Sequence, residues 1–288
     1  MSDMRVLVLG VTGMLGNAVF RVFSADAAYQ AWGTLRSASA LHHFPQDSHA
    51  RLLCGVDVLD QDTLTSVMAR VKPDVVINCV GLIKQLADAN DPLTALPINA
   101  MLPHRLARLC ELAGARLIHV STDCVFSGRK GMYVEGDLSD AEDLYGKSKY
   151  IGELHEWPNA ITLRTSIIGH ELGSCHALVD WFLSQQNGVL GFARAVFSGL
   201  PTVELARVMK DFVIPHTELA GLYQVAAEPI TKLDLLRLLA AQYGKQIEIN
   251  PDSSVVIDRS LDGSRFRNAT GYVAPAWPEL VRVMFERR

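Results

Sequence analysis

Three glycines spaced three residues apart limit the folds that this sequence can adopt more than any other feature does. They lie in RVLVLGVTGMLG, residues 5–16, between an apolar run that predicts a buried strand and a pattern with helical spacing. Gly10 permits a tight turn, Gly13 lets the backbone approach a diphosphate, and Gly16 lets the helix pack closely on the strand. The helix N-terminus also presents free N–H groups to phosphate. A plain strand–turn–helix junction is the alternative, but this context favours a dinucleotide site. We assign to that site Gly10, Thr12, Gly13, Met14, Leu15 and Gly16.

The same alternation continues along the first half of the chain. The apolar runs YQAWGTL, RLLCGVDV, DVVINCV and ARLIHVST are separated by helical patterns, of which INAMLPHRLARLCELAG, ending at Gly114, is the strongest. Continuous apolar strands between helices indicate a parallel sheet covered on both faces. We therefore predict an α/β fold, a Rossmann-type doubly wound parallel sheet, with a smaller, mixed C-terminal substrate-binding domain. The predicted boundaries are 1–165 for the nucleotide-binding domain and 166–288 for the smaller part, with 201–228 free to return to the first domain. The tail, residues 255–272, is predicted to be rich in loops.

Composition excludes several classes of function. Hydrophobic residues make up 49% of the chain and charged residues 20%, which is normal for a globular protein, and the net charge of −4 gives no basic surface for nucleic acid. The five cysteines include no CxxC pair, which argues against disulfides and a zinc site, and no other metal site is expected. The N-terminus begins a strand almost at once and no apolar stretch is long enough to span a bilayer. We expect a cytoplasmic protein without membrane insertion; a homodimer is left open.

The end of the second strand bears on the choice of nicotinamide cofactor. An acidic residue there binds the ribose 2′-hydroxyl of NAD, whereas an arginine suits the 2′-phosphate of NADP. The stretch AWGTLRSAS has no acidic residue and contains Arg36, which favours NADP; a solvated loop arginine is the alternative. Asp57 and Val58, at the next strand end, are assigned to the adenine side. Asp57 is equally a candidate cap for the helix that starts near Asp60.

The stretch YGKSK carries the predicted chemistry. Tyr145 and Lys149 are four residues apart and share one face of a helix. A nearby ammonium lowers the pKa of a tyrosine, and such a tyrosine can give a proton to a ketone oxygen as hydride reaches the carbon. Ser121 or Thr122, at the end of the preceding strand, would hydrogen-bond the same oxygen. A YxxxK pair alone is common by chance, but with the glycine turn it forms a consistent set.

Together these residues resemble the extended short-chain dehydrogenase/reductase family, and within it the dTDP-4-dehydrorhamnose reductase group. GVTGMLG and YGKSK mark the broad family, while STD-VF-G and RTS mark the narrower group of sugar-nucleotide 4-ketoreductases. The resemblance implies NADPH-dependent reduction of the C4 ketone of a nucleotide-linked 4-keto-6-deoxy hexose, for the synthesis of surface polysaccharide precursors. It also implies that Thr122, Tyr145 and Lys149 are catalytic. It adds to the cofactor site Asn99, Cys79, Val80 and Gly81. Tyr145 and Lys149 are assigned to the cofactor as well, since the lysine can also bind the nicotinamide ribose.

The sequence departs from that group where the substrate would bind. Cys124 stands where the group has a tyrosine after STD, and VGLIKQLADAN replaces an acidic stretch after the fourth strand. The reducing residues are thus kept while the substrate-facing ones differ, so a dTDP-linked and a UDP-linked, N-acetylated sugar are both open. We assign to the substrate Lys84, Asp123, Cys124 and Arg259. The competing interpretations are a polar loop for Lys84, a structural thiol for Cys124 and a surface charge for Arg259.

Two other functions stay open. An epimerase or dehydratase would keep the fold and retain NAD through its cycle. Dehydratases of this superfamily place an acidic pair beside the catalytic threonine, whereas here Asp123 is followed by Cys124. The third possibility is a non-catalytic regulatory subunit that binds NADP without turning it over.

Overall fold

The computed structural model describes residues 3–82 and 90–288, and strands alternate with helices through its first half. Its strands are β1 (Met4–Leu9), β2 (Tyr29–Leu35), β3 (Leu52–Cys54), β4 (Val75–Asn78), β5 (Arg116–Thr122), β6 (Ala160–Thr165), β7 (Ile167–Ile168), β8 (Val189–Phe197), β9 (Leu200–Pro201), β10 (Gly221–Gln224), β11 (Ile230–Thr231) and β12 (Ile249–Asp258). Its α-helices are α1 (Met14–Ser24), α2 (Gln61–Val71), α3 (Pro92–Ala95), α4 (Leu102–Ala113), α5 (Leu144–Ile151), α6 (Leu178–Ser184), α7 (Thr202–Val208), α8 (Lys232–Tyr243), α9 (Ser264–Thr270) and α10 (Trp277–Glu286).

Seven strands form one sheet in the order β10-β6-β5-β4-β1-β2-β3. β1 pairs in parallel with both β2 and β4, so the strand order reverses at this point, and β2–β3 and β4–β5 are parallel as well. Every residue of β4 and β6 is buried, as expected for strands covered by helices on both faces. These features confirm the predicted Rossmann-type sheet. Ligands of such sheets bind beyond the carboxyl ends of the strands, at the reversal of strand order.

The sheet core is built from the apolar runs that the sequence displays. Leu7 and Leu9 of β1, Val76 of β4 and Leu117 of β5 are at most 1% exposed and belong to one cluster with the apolar face of α4. Fully burying an aliphatic side chain of this size contributes roughly 1.5–3 kcal/mol, which is why the pattern predicts the strands well. α4 ends as predicted, because Gly114 adopts the left-handed conformation (φ 66°) that terminates helices.

The chain divides into two compact units. The first unit comprises residues 1–121, 143–163 and 217–222, and the second comprises 122–142, 164–216 and 223–288. One break between the units lies between residues 163 and 164, and residues 217–222 are grouped with the first unit. The predicted domain boundaries stay a prediction. The segment 122–142 differs from the predicted domain assignment. It groups with the second unit because it bonds to the C-terminal chain, where Tyr133 bridges to Leu261 and Ser260 accepts the Met132 N–H.

The second unit contains the predicted mixed sheet. β8 pairs antiparallel with β11 and parallel with β12, and α8 packs on β8. The prediction of a loop-rich tail is wrong, because most of residues 255–272 lies in β12 and α9. Val255 and Val256 are exposed, so the strand shows no apolar alternation. It is held instead by its pairing with β8, a partner distant in sequence.

Candidate active site

The glycine turn joins β1 to α1 with the geometry that its spacing predicts. Gly10 has φ 81°, which favours glycine, and a Cβ on Gly16 would lie 2.1 Å from the Gly10 carbonyl oxygen. Gly13 caps α1 without a side-chain hydrogen bond, and no acidic residue occupies the first turn of this helix. The N–H groups there remain available to an anion. Thr12 is exposed, Met14 is half-buried and Leu15 is buried in the core. Leu15 can therefore serve a cofactor only through its backbone.

The residues assigned to the adenine side lie where β2 and β3 end. Arg36 directly follows β2 and its side chain is exposed, as a 2′-phosphate ligand requires. Asp57 is also exposed, and it accepts the Leu59 N–H at 2.9 Å, whereas Val58 is buried. The alternative of Asp57 as the cap of α2 is wrong. Asp60 caps that helix by accepting the N–H groups of residues 62 and 63, because it directly precedes the first helical residue.

The turn after β4 faces the glycine turn. A Cβ on Gly10 would lie 2.8 Å from Cγ2 of Val80, so the two segments are in close contact. Asn78, which sequence reasoning missed, accepts the Val80 N–H at 3.1 Å and lies 3.2 Å from Nδ1 of buried His119. Burial lowers the pKa of His119 well below its usual value, so the ring stays neutral. Burial raises the pKa of the Cys79 thiol to about 12, so Cys79 is a packing residue without thiolate character.

Asn99 connects this turn to α5. Its Oδ1 accepts the Leu82 N–H at 2.9 Å and its Nδ2 donates to Ser148 Oγ at 3.3 Å. A Cβ on Gly81 would lie 3.4 Å from Asn99 Oδ1 and 3.9 Å from Nζ of Lys149. Gly81 therefore borders the lysine ammonium with backbone alone. The uncapped start of α1, this turn and Lys149 are the groups that would hold a dinucleotide.

Tyr145 and Lys149 lie on α5, one helical turn apart. Asp143 caps this helix by accepting the Gly146 N–H at 2.7 Å, which fixes where the helix starts. The Lys149 side chain is 6% exposed, and its Nζ donates to the Val120 carbonyl at 2.7 Å. Burial lowers the pKa of Lys149 to about 8, against the opposing effect of the Glu153 carboxylate. Tyr145 is half-buried on the same helix face.

Activity that needs the charged lysine should fall as the pH rises through about 8. Below that pH the ammonium is protonated and can stabilise the Tyr145 phenolate; above it the positive charge is lost. The measurement is the pH profile of kcat/KM, with Lys149→Arg as the control, since a guanidinium keeps its charge throughout this range. If the activity of Lys149→Arg fell at the same pH as that of the wild type, a group other than Lys149 would be responsible for the loss.

Both hydroxyl candidates at the end of β5 have carboxylate partners. Ser121 donates to the buried Glu153 carboxylate at 2.7 Å, so its hydroxyl proton is already used within the first unit. Thr122, the last residue of β5, caps the short helical turn Asp123–Val125 by accepting the Cys124 N–H at 3.2 Å. Thr122 Oγ1 in turn donates to Asp123 Oδ1 at 3.2 Å, so each hydroxyl already gives its proton to a carboxylate. The choice of Thr122 as the ligand of a ketone oxygen stays a prediction from the resemblance.

The assigned substrate residues that the structure describes lie together in the second unit. Nη1 of Arg259 is 3.8 Å from Sγ of Cys124, and its Nε donates to the Phe126 carbonyl at 2.8 Å. Asp123 is 7% exposed and its pKa is raised by burial, although Arg259 and Lys232 oppose the shift. Lys232 was missed, because its stretch ITKLDLL predicts only a helix start. Lys84 lies outside the described residues.

In residues 3–82 and 90–288, no three His, Cys, Asp or Glu side chains come together in a way that could hold a metal ion. No helix within these ranges has the length and apolar character needed to cross a bilayer.

Comparison with known families and structures gives a consistent match. The model of a family described as the RmlD substrate binding domain matches residues 4–254. A dTDP-4-dehydrorhamnose reductase of Bacillus anthracis, solved in complex with NADP, is similar with a TM-score of 0.81 and 20% identity, over 100% of this chain and 99% of that one. A hypothetical dTDP-4-dehydrorhamnose reductase of Sulfolobus tokodaii gives a TM-score of 0.77 and 23% identity, over 95% and 98%. At these identities the likeness shows the fold.

Curated relatives cover less of the molecule. The methionine adenosyltransferase 2 subunit beta of Danio rerio is 34% identical over 172 residues, which are 58% of this chain and 49% of the relative. The dTDP-4-dehydrorhamnose reductase of Aggregatibacter actinomycetemcomitans is 26% identical over 234 residues, 78% of this chain and 74% of the relative. The chain thus spans about half the length of the adenosyltransferase subunit.

Proposed function

Because the chain belongs to the RmlD substrate-binding domain family, we propose that it is a cytoplasmic, NADPH-dependent sugar-nucleotide ketoreductase. It reduces the C4 ketone of a dTDP- or UDP-linked 4-keto-6-deoxy hexose, and the product enters the synthesis of surface polysaccharide precursors. The relatives named as dTDP-4-dehydrorhamnose reductases support the reaction class. The replacement of a tyrosine by Cys124 supports a sugar other than dTDP-4-dehydrorhamnose.

Three residues of the protein have separate roles in the proposed reaction. NADPH, when bound, supplies the hydride that goes to the carbonyl carbon. Tyr145 donates its hydroxyl proton to the ketone oxygen, and the Lys149 ammonium favours the phenolate that remains. The Thr122 hydroxyl turns from Asp123 Oδ1 to donate to the same oxygen, and it stabilises the charge that develops there. The alcohol product thus carries the hydride on carbon and the Tyr145 proton on oxygen.

One observation carries this proposal: the Lys149 ammonium is buried on the helix face of Tyr145, next to the backbone of Gly81. A solvated surface pair would leave the lysine exposed and its pKa near its ordinary value. Here burial lowers the pKa of Lys149, which is typical of residues recruited for chemistry.

A panel of keto-sugar nucleotides tests the proposal. Purified protein is given NADPH and dTDP- or UDP-linked 4-keto-6-deoxy hexoses, with and without an acetamido group, and the fall in NADPH absorbance is followed. We expect turnover of at least one 4-ketone and none of the matching 4-hydroxyl sugars. Protein that contains tightly bound NAD and leaves NADPH unchanged would instead identify the epimerase or dehydratase.

The preference for NADP depends on Arg36. We expect Arg36→Ala to raise the KM for NADPH about tenfold, because a charge-assisted hydrogen bond contributes about 1.5–3 kcal/mol. The KM for NADH should stay unchanged, since NADH has no 2′-phosphate. Arg70→Ala is the control, because Arg70 is an exposed arginine of the same unit on α2. Equal effects on both cofactors would exclude a role in selectivity.

A regulatory subunit is the second candidate, and the 34% identity to a methionine adenosyltransferase subunit favours it. Such a protein would bind NADP through the same turn without turnover. The test is to immobilise the protein and look for a partner enzyme that it retains. Retention of such an enzyme, with no NADPH oxidation by the protein on any sugar of the panel, would support the regulatory function.

A further inference from the structure

Two asparagine side chains hold the turn after β4. β4 ends at Asn78, and the Val80 N–H donates to Oδ1 of that asparagine at 3.1 Å. The Leu82 N–H donates to Oδ1 of Asn99 at 2.9 Å. An amide side chain accepts with its oxygen and donates with its nitrogen, and the two ends have nearly the same shape. The turn therefore keeps its hydrogen bonds only while each amide oxygen points toward the backbone N–H.

A contact at the other end of the Asn78 amide fixes its orientation. Nδ2 of Asn78 lies 3.2 Å from Nδ1 of His119 on the adjacent strand β5, and both residues are 1% exposed. Because the Val80 N–H requires the amide oxygen, the amide nitrogen faces the ring, and this nitrogen can only donate. Nδ1 of His119 is therefore the acceptor, and the proton of the neutral ring is on Nε2.

The environment of His119 agrees with a neutral ring in this tautomer. Burial lowers the pKa of His119 well below its usual value, and the charges of Lys149 and His104 act in the same direction. Within residues 3–82 and 90–288, the buried Nε2 has no hydrogen-bond partner, which is unfavourable for a buried N–H. A proton on Nδ1 would require the Asn78 amide to rotate, and its NH2 group would then face the Val80 N–H. The structure thus leaves a ring N–H unsatisfied while the backbone N–H of the turn is bonded.

Val80 lies between two groups that are assigned to the dinucleotide. A Cβ on Gly10 would lie 2.8 Å from Cγ2 of Val80 and 3.5 Å from its backbone nitrogen, so a movement of Val80 would disturb the glycine turn. The next residue, Gly81, borders Nζ of Lys149, since a Cβ on Gly81 would lie 3.9 Å from it. The conformation at Val80 therefore affects both ends of this part of the site.

We propose that His119 is a positioning residue of the dinucleotide site. Its Nδ1 accepts from Asn78, which keeps the amide oxygen on the Val80 N–H and holds the turn after β4 against the glycine turn. His119 acts through Asn78 and does not contact the cofactor. This role rests on the proposed function, because it takes the turn to border a bound dinucleotide.

The position of the ring proton is tested in the wild-type protein. Nitrogen NMR spectra of the imidazole distinguish a protonated from an unprotonated ring nitrogen, and hydrogen exchange reports the protection of the Val80 amide. We expect the proton of His119 on Nε2 and slow exchange at Val80, because its N–H is bonded within the fold. A proton on Nδ1 would overturn the inference.

Two substitutions at His119 separate the acceptor from the bulk of the ring. His119→Leu removes the acceptor, and we expect it to weaken NADP binding about tenfold, equivalent to about 1.4 kcal/mol, in a calorimetric titration. Exchange of the Val80 amide should become faster in the same variant. His119→Asn places an amide oxygen close to the position of Nδ1, so it should restore both the affinity and the protection.

Ile118→Val is the matched control. Ile118 precedes His119 in β5 and is fully buried, and its side chain points to the opposite face of the sheet. This change should lower the Tm and leave the NADP affinity unaltered. Unchanged binding in His119→Leu, equal weakening by His119→Asn, or an equal loss in Ile118→Val would overturn the positioning role. A wild-type protein that binds no NADP would overturn the proposed function, whereas protection of Val80 that is lost only in His119→Leu would still support the effect of His119 on the turn.

Discussion

Replacing Tyr145 by phenylalanine is expected to lower kcat by about 10²–10⁴-fold, the usual contribution of a positioned general acid. The change removes one oxygen from a half-buried ring, so the fold and α5 should be kept. Binding of NADP should also persist, because the glycine turn, Asn99 and Lys149 are unchanged. The measurement combines steady-state reduction of the best sugar in the panel with a titration of NADP.

Tyr150→Phe is the matched control for this experiment. Tyr150 lies on the same helix five residues later, and its ring makes an edge contact with His155, with 6.2 Å between the centroids. It should keep nearly full activity. If Tyr145→Phe retained most of the wild-type turnover, or if both variants lost it equally, Tyr145 would not be the proton donor.

Alanine at Gly16 should impair folding, whereas alanine at Gly13 should impair only cofactor binding. A Cβ on Gly16 would lie 2.1 Å from a backbone oxygen, so Gly16→Ala forces α1 away from β1. Overpacking of this kind typically costs about 1–3 kcal/mol of unfolding free energy. A Cβ on Gly13 meets only the Gly10 oxygen at 3.4 Å, so Gly13→Ala should fold normally. It would nevertheless place a methyl group where the diphosphate must approach the backbone.

The two glycine variants are compared by thermal unfolding and by NADP titration. Gly16→Ala should lower the Tm of the ligand-free protein, whereas Gly13→Ala should keep the Tm and weaken NADP binding by tenfold or more, equivalent to about 1.4 kcal/mol. Gly136→Ala is a control, since no atom lies within 4 Å of a Cβ at this exposed position. Unchanged NADP affinity in Gly13→Ala would show that the dinucleotide does not use this turn.

The first half of the fold could be predicted because its signals are local. Apolar runs, helical spacing and the three glycines each specify the conformation of a few adjacent residues, and Gly114 ends α4 as its residue type suggests. Burial of β1 and β4 follows from their composition. The prediction of a loop-rich tail was wrong for the opposite reason. β12 is stabilised by its pairing with β8, which is distant in sequence, and the exposed valines of β12 form no periodic pattern.

The same distinction between local and long-range signals applies to the candidate site. The sequence by itself determined the strand–turn–helix unit at Gly10–Gly16 and the shared helix face of Tyr145 and Lys149, because both depend on spacing within one or two turns of backbone. Only the tertiary structure decided that Lys149 is buried with a lowered pKa and that Ser121 is bonded to Glu153. Desolvation and charge interactions act between groups that are distant in the chain, so no local pattern encodes them.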